Sequence, residues 1–436
     1  MKERIHIVWF KRDLRIHDHA PLHQAASHGK VLPLYVVEPD YWQLPCVSAR
    51  HWRFIRQSLH ELNTTLSRLG QPLVKMQGEI LSVLDTLQAR FEIAALYAHE
   101  ENGNPWTNTR NQHVQQWCTQ HGIAWQAFSP CELAAERAPA PARLAALQTR
   151  IPQQGLPDTF GTVLENDEAR HCQAGGRNEA LKLLGSFFRE RGQHYQRDST
   201  LALAANSSCS RLSPHLSYGT LSLREVSHKL QSTLENPELD ETWQQSLQAF
   251  ATNLQARCQC LQTPIAAPTD ATDFNQGYFA AWQTGMTGYP LLDAGMRALR
   301  SSGWVNFPMR ALLVTFASKQ LGLHGGKLAQ HLAQCFTDYE PAIHYQQLQI
   351  LAGNGDVKTQ RLSTYLKHAA ALDPQGDFIR RWLPELANVP EAYLHQPWAM
   401  PWSVQQQSAC IIGRDYPEPI VDLRRAAHNS QMKLFD

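Results

Sequence analysis

Short apolar runs alternate with longer amphipathic stretches over the first third of the chain. Four runs have the length of a buried parallel strand, at residues 5–10, 31–37, 73–76 and 94–99. The stretches between them carry apolar residues at helical spacing, at residues 20–27, 51–69 and 80–91. Strands that alternate with helices in this way predict an α/β fold, a doubly wound parallel sheet with helices on both faces.

The pattern changes twice after this region. Between residues 131 and 176, prolines such as those of Ile151-Pro152 and Leu156-Pro157 interrupt any long element. From residue 177 onward, apolar positions recur at helical spacing. The sequence therefore predicts an α/β domain over residues 1–130, an interdomain linker over 131–176 and an all-helical domain over 177–436.

Polar side chains inside apolar helical sequence mark a candidate site in the second domain. Arg310 falls on the apolar face of a helix predicted over residues 306–323, and a buried charge there needs a partner. Asp338 and Glu340 follow at the end of the next helical run, and His344 lies one turn further on. These four residues predict one pocket. The alternative is that Arg310 and Asp338 form a plain core ion pair while Glu340 faces water.

A second candidate site is the run from Cys209 to Ser213, which precedes a predicted helix. It offers hydroxyl groups, the Arg211 guanidinium and free backbone amides, a set that suits a diphosphate. The alternative is structural, with Ser213 serving as the N-cap before Pro214.

Composition limits the function classes. A formal charge of +1 predicts no strong overall field for nucleic acid. Nine cysteines without regular spacing favour reduced thiols, and Cys258 and Cys260 are expected to be core thiols rather than metal ligands. No apolar run reaches membrane-spanning length and the start does not resemble a signal peptide, so a cytoplasmic protein without a bound metal or a membrane partner is expected.

Five motifs of the chain resemble the photolyase/cryptochrome family. They are Trp9-Phe10-Lys11-Arg12-Asp13-Leu14-Arg15, the run from Cys209 to Arg224, Thr287-Gly288-Tyr289-Pro290 continuing to Arg297, Asp338-Tyr339-Glu340, and the run from Asp373 to Leu386. The matches stand in family order between about residues 5 and 400. The resemblance implies that the helical domain binds FAD. In that family the sheet domain can also hold an antenna chromophore, a folate or a deazaflavin, at the edge of the sheet.

The resemblance also assigns individual residues. His344, Arg310 and Asp338 take the catalytic positions beside the flavin. The cofactor-binding positions are Tyr195, Cys209, Ser210, Arg211, Leu212, Ser213, Arg310, Asp338, Tyr339, Glu340 and His344. The flavin-facing Asn of the family is replaced by His344, whose imidazole is able to exchange a proton with flavin N5; a hydrogen-bonded core histidine is the alternative.

Other family features are missing. Gly325 and Leu348 stand where two tryptophans of an electron-transfer chain are expected, and the third would lie near Thr272. Asn253 and Ala256 replace the Glu and Trp that contact a pyrimidine dimer. Trp282 and Trp304 are expected to pack in the core, and Trp243 is a substitute aromatic platform if the register is shifted.

Three functions follow from these observations. The first is a cryptochrome-like blue-light or redox flavoprotein with a signalling protein as partner. The second is a light-driven deoxyribodipyrimidine photolyase that repairs UV-damaged DNA. The third is a remnant that keeps the fold without FAD, and the intact Ser210–Ser213, Arg310 and Asp338 argue against it.

Overall fold

A five-stranded parallel sheet forms the core of the first domain. The computed structural model describes residues 2–129, 138–149, 151, 154–157, 169–263, 275–352 and 362–422. The strands are β1 Glu3–Phe10, β2 Val31–Val37, β3 Val74–Gln77, β4 Phe91–His99 and β5 Ala124–Phe128. Their order is β3-β2-β1-β4-β5 and every pair is parallel, which confirms the doubly wound sheet. The edge strand β5 was not predicted, because its half-exposed residues form no apolar run.

Helices cover both faces of the sheet. They are α1 Ala20–His28, α2 Ala49–Arg68, α3 Ile80–Arg90 and α4 Pro105–Gln120. Side chains of a strand point alternately to opposite faces, so Ile5, Ile7 and Trp9 of β1 pack on the side of α3 and α4. Val8 and Phe10 pack with residues of α1 and α2. The central strand is therefore apolar throughout its buried length.

The second domain is helical, as predicted. Its described helices are α5 Arg177–Ser186, α6 Tyr195–Asp198, α7 Ala205–Ser208, α8 Ser213–Ser217, α9 Leu223–Leu234, α10 Glu241–Gln262, α11 Gln276–Thr284, α12 Pro290–Ser302, α13 Phe307–Lys319, α14 Gly326–Cys335, α15 Pro341–Ala352, α16 Leu362–Leu372, α17 Asp377–Trp382, α18 Glu391–Leu394 and α19 Trp402–Gln407. A π-helical turn, Phe187–Arg191, extends α5. Residue 130 lies outside the described residues, and the predicted domain boundaries at residues 130 and 176 stay predictions.

The turn before α12 contributes to the core rather than to the candidate site. Asp293 is fully buried and accepts hydrogen bonds from Thr287 Oγ1 at 2.6 Å, from the Gly288 amide at 3.0 Å and from Tyr416 Oη at 2.6 Å. Burial raises the pKa of Asp293 to about 6. The side chain thus ties the start of α12 to the chain near residue 416.

The two domains meet at the segment that follows β1. The Leu14 amide donates to the Tyr218 carbonyl at 3.1 Å, and Arg15 Nη1 donates to the Gly219 carbonyl at 3.1 Å. Gly219 has a φ of +63°, and a Cβ there would overlap the carbonyl oxygen of Arg12 and Cα of Asp13. Only glycine permits this approach of the two backbones.

A second interdomain contact is made by Arg50, at the start of α2. Its guanidinium donates to the carbonyls of Leu299, Arg300 and Cys335, the first at 3.2 Å and the second at 2.9 Å. These carbonyls lie at the C-terminal ends of α12 and α14.

Two further observations concern membrane-spanning helices and the state of the cysteines. Among the described residues, no helix combines the length and apolarity needed to cross a membrane. Cys260 is a free thiol, but Cys258 is disulfide-bonded, so the expectation of reduced thiols is wrong at that position.

Candidate functional site

A cavity of about 540 Å³ opens in the helical domain between α8, α10, α13 and α15. All of the predicted cofactor positions line it: Tyr195, Cys209, Ser210, Arg211, Leu212, Ser213, Arg310, Asp338, Tyr339, Glu340 and His344. The two candidate sites of the sequence are therefore one site. Ligand pockets typically have this size and a mixed polar and apolar lining.

Arg310 and Asp338 form a pair in the wall of the cavity. Arg310 Nη2 donates to Asp338 Oδ2 at 2.7 Å and Arg310 Nε donates to the Val305 carbonyl at 3.0 Å. Burial alone would raise the pKa of Asp338, but the Arg310 guanidinium lowers it below its usual value. The Ser213 hydroxyl lies near Asp338 and lowers its pKa further, while Asp338 Oδ1 is buried without a hydrogen bond of ordinary geometry in the described part of the chain. One carboxylate oxygen is thus left for a ligand with a donor.

Glu340 is anchored rather than exposed to water. Its Oε2 accepts from Ser217 Oγ at 3.0 Å and from Arg257 Nη2 of α10. Sequence reasoning missed Arg257. It lies one turn after Asn253, on the face of α10 that lines the cavity, so helical spacing from the altered positions would have found it.

His344 is held as a neutral imidazole. Its Nε2 lies 2.9 Å from the Ala329 carbonyl, which accepts only, so Nε2 carries the proton. Burial lowers the pKa of His344 to about 4. Its Nδ1 is consequently an acceptor near neutral pH. His344 therefore has both the hydrogen bond expected of a core histidine and the position in the cavity expected of a flavin-facing residue.

The run before α8 forms the opposite wall. Arg211 has a φ of +61°, and its guanidinium lies 3.9 Å from the ring centroid of Trp304. Gln173 and Asn206 accept hydrogen bonds from this guanidinium, each at 3.0 Å. Burial lowers the pKa of Arg211 to about 10, so the group stays charged at neutral pH.

The structural alternative for Ser213 is wrong. The helix α8 begins at Ser213 with Leu212 as its N-cap residue, so the Ser213 side chain does not cap it. Burial raises the pKa of the nearby Cys209 thiol to about 12, which keeps it neutral.

The mouth of the cavity has an exposed ring. Phe307 is 54% exposed and lines the opening beside Asn306 and Pro308. Asn306 Nδ2 donates to the Ser199 carbonyl at 2.9 Å, while Asn306 Oδ1 is buried without a partner in the described part of the chain. Asn253 also lines the cavity and donates to Tyr195 Oη at 2.7 Å.

The tryptophans are placed as follows. Trp282 is 1% exposed in the core and donates to the Leu313 carbonyl, which confirms its packing role. Trp304 packs in a second apolar cluster and also lines the cavity. Trp243 does not line the cavity, and Thr272 lies outside the described residues.

A small cavity lies at the C-terminal ends of β1 and β2 in the sheet domain, the domain for which the resemblance implies an antenna. Only about 40 Å³ remains there, and the Arg110 guanidinium lies over the rings of Trp9 and Trp106 at 4.8 and 5.5 Å. Arg110 also pairs with Glu38 at 2.8 Å and with Glu101 at 2.6 Å. A bound chromophore would have to displace this arginine.

Comparisons with known proteins agree with the geometry. Residues 219–435 match the family model described as the FAD binding domain of DNA photolyase, and residues 6–136 match the one described as DNA photolyase. A cryptochrome DASH from Gloeobacter violaceus is 28% identical, over 98% of this chain and 95% of its own length. A deoxyribodipyrimidine photo-lyase from Alkalihalophilus pseudofirmus is 26% identical over 98% and 96%.

A solved structure shares the fold. The cryptochrome of Synechocystis superimposes with a TM-score of 0.86 over 99% of both chains, at 23% sequence identity.

Proposed function

Since the chain belongs to the DNA photolyase/cryptochrome family, we propose that it is a FAD-binding flavoprotein of the cryptochrome kind, with a blue-light or redox role. The observation that carries the proposal is the single cavity lined by every predicted cofactor position. Its unpartnered oxygens on Asp338 and Asn306 fit a ligand that presents N–H or O–H groups. A cytoplasmic location is part of the proposal.

Two walls of the cavity would hold different parts of FAD. The Ser210–Ser213 run, with Arg211 beside it, would hold the diphosphate through hydroxyl, amide and guanidinium donors. Arg310, Asp338 and His344 would contact the flavin ring, with Arg310 fixing the Asp338 carboxylate and His344 offering an acceptor at Nδ1. FAD, when bound, supplies light absorption and one-electron chemistry.

The groups with which family repair enzymes contact a pyrimidine dimer are replaced in this chain, and this replacement favours a signalling role. Asn253 and Ala256 line the cavity, and neither presents the acidic and indole groups that family repair enzymes use. Gly325 is the N-cap of α14 and Leu348 is a buried core residue, so neither carries an electron. The proposed partner is therefore a protein that responds to the redox state of the flavin, in place of a damaged base.

One observation favours light-driven repair as a second candidate. The exposed ring of Phe307 at the cavity mouth is a flat apolar surface on which an extruded base could stack. Blue-light illumination of reduced, FAD-loaded protein with a thymine-dimer oligonucleotide decides between the candidates. Restored thymine absorbance would support repair, while unchanged oligonucleotide would support the cryptochrome role.

Flavin binding itself is tested on the purified chain. After refolding with excess FAD and removal of free cofactor, heat should release flavin into the supernatant with its yellow absorbance. A colourless supernatant would favour the third hypothesis, a remnant that keeps the fold without FAD.

We also propose a second chromophore in the sheet domain, where it would have to displace Arg110. Because Arg110 occupies the small cavity at the ends of β1 and β2 through two nearly buried ion pairs, a folate or deazaflavin there requires that arginine to move. An Arg110→Ala variant that gains an additional chromophore absorbance would identify Arg110 as the obstacle.

A further inference from the structure

Three successive carbonyl groups in the cavity wall before α8 are bound by side chains that lie outside the cavity. Arg191 Nη1 donates to the Cys209 carbonyl at 2.6 Å, and Arg191 Nη2 donates to the Ser210 carbonyl at 3.3 Å. Gln173 Nε2 donates to the third, the Arg211 carbonyl, at 2.8 Å. Neither Arg191 nor Gln173 lines the cavity. Two side chains thus hold this run of backbone from its outer side.

These bonds determine the direction of the backbone amides that follow each carbonyl. In a trans peptide the carbonyl and the next N–H point in opposite directions, so a carbonyl held from outside turns the next amide towards the cavity. The amides concerned belong to Ser210, Arg211 and Leu212, and all three residues line the cavity. No hydrogen bond of the Ser210 or Arg211 amide is found in the described part of the chain, and the Leu212 amide makes a long one, 3.4 Å, to Ser210 Oγ. These N–H groups are therefore available to a ligand.

The backbone angles of the run are those of an anion-binding concavity. Arg211 has a φ of +61°, in the left-handed region. Leu212 follows with a φ of −87° and a ψ of −8°, in the right-handed region. Successive residues of opposite hand bring their N–H groups around one point, a geometry that proteins use to bind phosphate.

Gln173 maintains the unusual conformation of Arg211. Residues other than glycine rarely adopt a positive φ, because Cβ then approaches the following carbonyl oxygen. Gln173 binds both parts of the residue: its Oε1 accepts from Arg211 Nε at 3.0 Å, while its Nε2 donates to the Arg211 carbonyl. The guanidinium is also fixed over the ring of Trp304 and by Asn206 Oδ1 at 3.0 Å. The two bonds of Gln173 therefore offset the cost of the left-handed backbone.

Arg191 approaches the same run from the π-helical turn Phe187–Arg191, which extends α5. Its remaining bonds go to the Ser207 carbonyl at 2.9 Å, to Ser186 Oγ at 3.0 Å and to the Leu183 carbonyl at 3.1 Å. No ion pair of the described chain includes Arg191. Its planar fork of donors consequently orders backbone carbonyls instead of pairing with an acid. Turns of the π type are frequent at functional sites.

The segment that carries Gln173 is itself fixed by α2 of the sheet domain. The Gly175 amide donates to Gln57 Oε1 at 2.7 Å, and the Gly176 amide donates to Ser58 Oγ at 3.0 Å. Gln173 thus stands two residues before a backbone stretch that packs on a long helix. Its side chain has a fixed starting point from which to hold Arg211.

We propose that Arg191 and Gln173 are positioning residues for a diphosphate: they direct the amides of Ser210, Arg211 and Leu212 at it without contacting it. This role rests on the proposed function, because the diphosphate is that of FAD. Once released from Arg191 or Gln173, the peptides of the run are able to rotate. Carbonyl oxygens would then face the anion and repel it.

Titration of the full-length, cofactor-free protein with FAD tests the proposal. Gln173→Met removes both bonds to Arg211 and keeps the size of the side chain. Arg191→Lys keeps the positive charge and loses the forked donors. Each variant should bind FAD about tenfold more weakly, as measured by quenching of flavin fluorescence.

Gln405→Met and Arg297→Lys are the matched controls. Gln405 likewise donates to one backbone carbonyl, that of Met400 at 3.0 Å, and accepts from one amide, that of Ile412 at 3.0 Å. Arg297 donates to the Gly285 carbonyl at 3.2 Å. Neither residue lines the cavity. FAD affinity should be unchanged in both controls, while thermal unfolding shows losses of stability comparable with those of Gln173→Met and Arg191→Lys.

Two further measurements separate positioning from a general loosening of the domain. The phosphorus NMR resonances of bound FAD should shift in Gln173→Met and Arg191→Lys, because the amides around the diphosphate move. The midpoint potential of the flavin should keep its wild-type value, since the residues assigned to the ring lie on the opposite wall. Unchanged FAD affinity in both folded variants would overturn the proposal. Losses no larger than those of the controls, or unaltered phosphorus resonances, would overturn it as well.

A separate arm of the experiment covers failure of the proposed function. If the wild-type chain binds no FAD, the flavoprotein role is wrong, and inorganic pyrophosphate becomes the titrant. Saturable binding of pyrophosphate that Gln173→Met weakens and Gln405→Met does not would still support the positioning role. Absence of saturable binding would overturn it.

Discussion

The guanidinium of Arg310 and the carboxylate of Asp338 are joined by one hydrogen bond of 2.7 Å across the wall of the cofactor cavity. Their side chains are 17% and 4% exposed. Replacing either partner leaves an uncompensated buried charge, so Arg310→Ala and Asp338→Ala should each weaken FAD binding, by about 3–5 kcal/mol in a buried site. The double variant should lose less than the sum of the two.

Quenching of flavin fluorescence on binding gives the four dissociation constants of this cycle. Arg414→Ala serves as control, because Arg414 and Asp415 form an ion pair whose arginine is 70% exposed, and FAD affinity should not change. Strictly additive losses would mean that Arg310 and Asp338 act on the cofactor independently.

His344 should influence the redox potential of the bound flavin. As a neutral residue its Nδ1 accepts a hydrogen bond, which favours a protonated N5 on the flavin in the position that family resemblance assigns. His344→Leu removes this acceptor and should lower the midpoint potential. One hydrogen bond of about 1 kcal/mol corresponds to about 20 mV for a two-electron couple.

Spectroelectrochemical titration measures the effect. The control is His331→Leu, since His331 is half-buried, has a pKa lowered to about 4 and does not line the cavity. Equal shifts in the two variants would assign the change to general disturbance of the core.

Photoreduction of the bound flavin by an external thiol should be slow compared with that of a protein that has a tryptophan chain. Gly325 and Leu348 interrupt the expected path, and Trp282 is bonded to the Leu313 carbonyl within the core. The measurement is the rate of flavin bleaching under blue light. A fast rate that Trp282→Phe or Trp304→Phe abolishes would reveal another route.

The close approach at Gly219 should be very sensitive to a methyl group. Gly219→Ala combines a positive φ with overlap against Arg12 and Asp13, whereas Gly322→Ala has a φ of +64° with no atom within 4 Å of the added Cβ. Both lose about 1 kcal/mol from backbone conformation, and only Gly219→Ala disturbs the domain contact. Thermal unfolding should therefore show the larger loss of stability for Gly219→Ala. Equal losses of stability would mean that the domain contact accommodates the added methyl group without cost.

Stability should decrease as pH falls below about 6.5. Three buried histidines, His99, His215 and His344, and the half-buried His331 have pKa values lowered to about 4 by burial, so the unfolded chain binds more protons between pH 6.5 and 4. Asp293, with a pKa raised to about 6, contributes one proton in the opposite sense. For these five groups, four protons against one give about 4 kcal/mol per pH unit.

Urea unfolding at pH 7, 6 and 5 measures this slope. His215→Gln should reduce it by about one proton equivalent. A stability that is constant from pH 7 to 5 would contradict the assignment of neutral buried histidines.

Sequence patterns were sufficient where burial or motif order dominates. Strands β1 to β4, the helical second domain and the positions around Arg310 and Asp338 follow from apolar periodicity and motif register. They were insufficient where tertiary contacts decide. Helical spacing places Arg257 on the cavity face of α10, but its partner Glu340 lies 83 residues away, and Arg110 pairs with Glu38 and Glu101 from two other segments. No local pattern encodes such distant pairs.

The contact of Arg50 with the ends of α12 and α14 bears on how the protein behaves as a whole. The last carbonyls of a helix need a donor, and here three of them receive it from the other domain. A fragment that starts at residue 177 would expose these groups together with the surface that surrounds them. We therefore expect that the helical domain does not fold as an autonomous module, and that cleavage between the two domains abolishes a single cooperative unfolding transition rather than separating two independent ones.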